Sequence, residues 1–116
     1  MPTYTPPLRD MQFVMHEVFK VTDEFKTMPK HADADADTIN AVLEEAGKFA
    51  SEVIFPLNIS GDAEGCKLDK TSHEVKTPAG FKEAYKTYVE GGWAALSCDP
   101  AYGGQGLPLV VNQCLY

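Results

Sequence analysis

Seven apolar residues, Ile39, Val42, Leu43, Ala46, Phe49, Ala50 and Val53, constrain this chain more than any other feature. They recur at intervals of three and four, the spacing of one helical face, and exclude a half-buried strand, whose faces alternate at every residue. Asp37 stands where a carboxylate accepts a hydrogen bond from a first-turn amide, and Pro56, which has no N–H to donate, closes the helix. An earlier helix over about 8 to 27 sets Val14, Val18, Val21 and Phe25 on one face, widened by Met11 and Met15; it opens at Pro7 and stops before Pro29. A later one starts at Thr77-Pro78 and gathers Phe81, Ala84, Tyr85, Tyr88 and Val89 into a core-facing stripe continued by Trp93. It ends at Gly91-Gly92, since glycine takes the left-handed, helix-terminating conformation without a Cβ clash. Another begins near Pro108 with Leu109, Val110, Val111, Cys114 and Leu115. Residues 57–77 lack this periodicity and read as an irregular loop or small hairpin, with Lys67-Leu68-Asp69 facing Glu74-Val75-Lys76. The expected fold is all-α: a partial up-and-down helical bundle of three long helices and the beginning of a fourth.

The chain has 116 residues, enough for one domain. Its 44% hydrophobic and 23% charged content excludes global disorder. Seventeen acidic against ten basic side chains give a net charge of −7, which removes the attraction to phosphate that nucleic-acid partners require. No apolar run approaches the ~20 residues that span a bilayer, so membrane insertion is not expected. The opening Met1-Pro2-Thr3-Tyr4 lacks the basic and apolar regions of a secretion signal, and a cytoplasmic location is expected. Cys66, Cys98 and Cys114 lie too far apart for a C-x-x-C pair and read as reduced thiols. The fourth helix barely begins before Tyr116, which reads as a fragment and predicts self-association or a homo-oligomer through apolar surface near Val110 to Leu115.

Few spacings point to chemistry. Asp33, Asp35 and Asp37, with Glu44 at the twelfth position, match the ligand spacing of a calcium loop. Thr38, however, occupies the place where that loop needs a glycine, and Pro29 breaks the entering helix. An acidic helix start explains the same residues through the macrodipole. Gly103-Gly104-Gln105-Gly106 lacks the preceding strand and the third glycine of a dinucleotide fingerprint. His16 and His73 have no second histidine four residues on and read as surface side chains. No spacing singles out a catalytic, cofactor-binding or resident metal-binding residue.

Three stretches together resemble the N-terminal helical domain of flavin-dependent acyl-CoA dehydrogenases. Pro7-Leu8-Arg9-Asp10-Met11-Gln12-Phe13-Val14-Met15-His16-Glu17-Val18 is similar to the N-terminal extension of the larger bacterial members, a branch that includes 3-methylthiopropanoyl-CoA dehydrogenases. The second stretch runs from Glu44 to Ala50, through Pro56-Leu57-Asn58 and Gly61 to Cys66, and on to Thr77 to Tyr85. Gly91-Gly92-Trp93-Ala94 with Asp99-Pro100-Ala101-Tyr102-Gly103-Gly104-Gln105-Gly106-Leu107-Pro108 resembles the family's proline-x-tyrosine-Gly-Gly-x-Gly signature.

The resemblance implies an incomplete N-terminal helical domain over 1–116, with a middle β-domain and a C-terminal helical domain absent. It implies a parent oxidoreductase that uses FAD to dehydrogenate acyl-CoA thioesters between the α and β carbons and passes electrons to an electron-transfer acceptor. The catalytic glutamate and most flavin contacts fall outside the matched stretches, so the chain alone is expected to be inactive and to bind no flavin. Tyr102, Gly103, Gly104, Gly106 and Leu107 match the signature and are the candidate substrate-pocket residues. The alternative is a stand-alone acidic helical module that binds calcium through Asp33, Asp35, Asp37 and Glu44, or binds a protein partner.

Overall fold

A computed structural model describes residues 2–116, which are predominantly helical with one two-stranded hairpin. Its longest regular element, α3 (Ala36–Phe49), is the helix that the apolar spacing marks, with Ile39 and Leu43 almost wholly buried. Asp35, rather than Asp37, caps it. The Asp35 carboxylate accepts from the Thr38 amide at 2.8 Å while Asp35 itself stays extended, and Asp37 falls in the first turn, where the helix dipole favours its charge. That bond lowers the Asp35 carboxyl below 3.8. The folded cap therefore binds its proton less tightly than the unfolded chain, so its contribution is complete above that value and is lost as pH falls through the lower folded one. Acid titration followed by circular dichroism should show helix loss in that range, and Asp35→Asn should blunt the pH dependence while keeping the cap.

Pro56 does not end the helical path. After α3 the backbone widens into a π-helical turn, Ala50–Ile54, in which the Phe55 amide donates to the Ala50 carbonyl at 2.8 Å. The wider turn makes room for the proline ring, and Pro56 becomes the first residue of α4 (Pro56–Glu64). Residues 57–64 are thus helical, and the irregular stretch expected over 57–77 shrinks to the hairpin and its flanks. There β1 (Lys67–Leu68) pairs antiparallel with β2 (Val75–Lys76), Leu68 facing Val75. The Asp69 carboxylate fastens the turn by accepting from the amides of Thr71 and Ser72 at 2.7 and 3.0 Å.

The N-terminal helix is also broken. Helix α1 (Leu8–Gln12) runs into a π-helical turn, Phe13–Val18, and Lys20 adopts a left-handed conformation before α2 (Val21–Lys26). This break rotates the apolar stripe. Met15 and Phe25 are buried and Met11 and Val21 pack beside them, whereas Val14 and Val18 face outward. His16, read from sequence as a surface residue, is half-buried and its Nε2 meets Asn40 Oδ1 at 2.8 Å, tying this turn to α3. His73 is exposed.

Helix α5 (Phe81–Glu90) starts after Gly80, three residues beyond Pro78, and terminates at Gly91 and the left-handed Gly92 as expected. Its aromatic stripe is only partly packed. Ala84 is buried, Tyr88 and Trp93 are half-buried against Phe49, and the Phe81 ring meets Gly61, whereas Tyr85 and Val89 are exposed. Helix α6 (Leu109–Gln113) follows Pro108 and sends Val111 into the core beside Ile39 and Leu43, while Val110, Cys114 and Leu115 pack against that cluster. The apolar face expected to be open at 110–115 is therefore largely covered within the chain.

The resulting body is thin. Its extents are 57 × 38 × 16 Å and its radius of gyration is 17.6 Å, against roughly 13 Å for a compact domain of this length. No helix among the described residues is long and apolar enough to cross a membrane.

Candidate functional site

The glycine-rich segment after α5 is a closed hydrogen-bonded loop. A short 3₁₀ turn, Trp93–Ala95, leads to a second, Pro100–Tyr102, which Asp99 caps by accepting from the Ala101 amide at 2.9 Å. The chain then doubles back: Gln105 donates to Ala95, Gly106 to Cys98 and Leu107 to Leu96, at 2.9, 2.9 and 2.8 Å. These bonds explain the glycine spacing. Gly103 and Gly106 have φ of +86° and +69°, and a Cβ on Gly104 would collide with the Cys98 carbonyl. The Gln105 side chain lies against Gly92, joining the two halves of the third signature stretch.

The candidate pocket residues separate in space. Gly106 and Leu107 line a cleft of about 560 Å³ together with Ser97, Cys98, Asp99 and Pro100. Tyr102 points away into solvent at 91% exposure, and neither it nor Gly103 or Gly104 lines that cleft. The opposite wall comes from Lys30, His31, Asp33, Ala34 and Thr38, residues that sequence spacing does not connect with the loop. His31 Nδ1 is buried there without a hydrogen-bond partner. A chain separation of about 70 residues leaves no local pattern from which this wall can be read.

Of the acidic set, Asp35 is committed to the helix cap, and Asp33 lines the cleft. Among the described residues no group of three or more histidine, cysteine or carboxylate side chains is placed to hold a metal ion. Cys66 and Cys98 are exposed free thiols. Burial beside Met15 pushes the Cys114 thiol up, so less of it is thiolate at a given pH. Alkylation with iodoacetamide near neutral pH should therefore modify Cys66 and Cys98 rapidly and the half-buried Cys114 more slowly, as peptide mass mapping would show.

Comparison with known proteins gives this loop and its helices a context. The chain is homologous, over nearly its whole length, to part of the acyl-CoA dehydrogenases. It is 37% identical over 110 residues, 95% of its length, to the 3-methylmercaptopropionyl-CoA dehydrogenase of Ruegeria pomeroyi. It is 29% identical over 116 residues to a broad-specificity linear acyl-CoA dehydrogenase of Mycobacterium tuberculosis, and 31% over 115 residues to a butyryl-CoA dehydrogenase of Syntrophomonas wolfei. The chain spans only 18 to 19% of the length of these relatives. No protein-family profile matches it.

The glycine loop itself does not fit a flavin diphosphate. Such a group needs free amides converging on it. Here the amides of Gly103, Gly104, Gln105 and Gly106 all donate to backbone carbonyls between Ala95 and Pro100.

Proposed function

We propose that this chain is part of the N-terminal helical domain of a flavin-dependent acyl-CoA dehydrogenase, whose middle β-domain and C-terminal helical domain lie outside these 116 residues. The observation that carries the reading is the 37% identity to a dehydrogenase across nearly the entire chain. The parent reaction removes a proton from the α carbon and a hydride from the β carbon of the thioester, leaving a double bond; the flavin supplies the hydride acceptor. None of this chain's carboxylates is assigned the proton abstraction. Its own contribution is scaffolding: the closed glycine loop fixes Gly106 and Leu107 on one wall of a cleft, where they help shape the acyl end of the substrate pocket. The whole enzyme acts in the cytoplasm and delivers its electrons to a separate electron-transfer acceptor.

The test is to express the polypeptide encoded by the full reading frame and add acyl-CoA thioesters without oxygen. Bleaching of the oxidised-flavin absorbance is expected, with 3-methylthiopropanoyl-CoA and butyryl-CoA as the first substrates to compare. A product that holds no flavin, or whose flavin is reduced by no thioester, would sink the dehydrogenase reading. Turnover by residues 1–116 alone would overturn the assignment of the redox chemistry to other parts of the enzyme.

A further inference from the structure

We draw no further inference here: the strongest candidate, the cleft between residues 30–38 and the glycine-rich loop in which His31 Nδ1 lies buried without a hydrogen-bond partner, belongs to the site already described.

Discussion

Replacing Gly104 by alanine should destabilise the chain by about 3 kcal/mol, the upper end of the cost of overpacking. The reason is the identity of the neighbour. A flexible side chain would move aside, but the new methyl would meet the carbonyl and Cβ of Cys98. Cys98 is held in turn, because its carbonyl accepts from Gly106 at 2.9 Å and its amide donates to Ala95 at 3.2 Å. Relieving the clash opens the loop and pulls Leu96, 4% exposed, and Leu107 away from their packing. Gly103→Ala is the comparison: it meets open space and carries only the strain of φ +86°, about 1 to 2 kcal/mol. Urea unfolding of the three proteins checks the order, and a Gly104→Ala midpoint equal to that of the unmodified chain would remove the close-approach explanation. Tyr102→Ala, at a side chain 91% exposed, should change stability by no more than about 0.5 kcal/mol.

Leu43→Ala should cost about 2 to 5 kcal/mol, because it removes a buried branched side chain and leaves a cavity. Leu43 is 1% exposed and belongs to a small core with Met15, Phe25, Ala34, Ile39 and Val111. Those residues come from α1's continuation, α2, the approach to α3, α3 itself and α6, so one truncation loosens the joint that holds both ends of the chain to its centre. Native stability is commonly about 5 to 15 kcal/mol, and a body this thin has little reserve. Ile39→Val, which deletes one methylene at 0% exposure, should cost about 0.5 to 1.5 kcal/mol. The same urea titration separates the two, and equal midpoints for Leu43→Ala and Ile39→Val would show that the core is not where the structure locates it.

What could be read from sequence divides along physical lines. Helix α3 was legible because its pattern is local: burial on one face imposes a spacing that survives any tertiary arrangement. The hairpin and the Gly92 stop were legible for the same reason, each depending on a few neighbouring residues. The path through Pro56 was not. A proline normally ends a helix, and only the preceding π-helical turn makes it a beginning; that turn has no sequence signature of its own. The break at Lys20 was hidden because lysine carries no left-handed preference comparable to glycine's, so an apolar repeat running across it looked continuous.

The aromatic stripe of α5 shows a different limit. Periodicity identified a face that should be buried, but it does not say that the burying surface belongs to the same 116 residues. The cleft beside the loop was half legible. Gly106 and Leu107 were found through a signature, whereas His31 and Asp33 reach the opposite wall only through tertiary folding, and Tyr102, in the same signature, faces solvent.

The π-helical turn at Ala50–Ile54 also makes this region tolerant of a one-residue change in length. Such a turn holds one residue more than an α-helical turn over the same hydrogen-bonded step. Loss of a single codon there, such as that of Glu52, would restore an ordinary ladder and leave the helix downstream close to its present orientation, with Leu57 still beside Gly80 and Gly61 still beside Phe81. The same deletion inside α3, where there is no extra residue to give up, would swing everything downstream by about 100° around the helix axis and separate those contacts. Two in-frame deletions a few codons apart would thus differ sharply in their consequences.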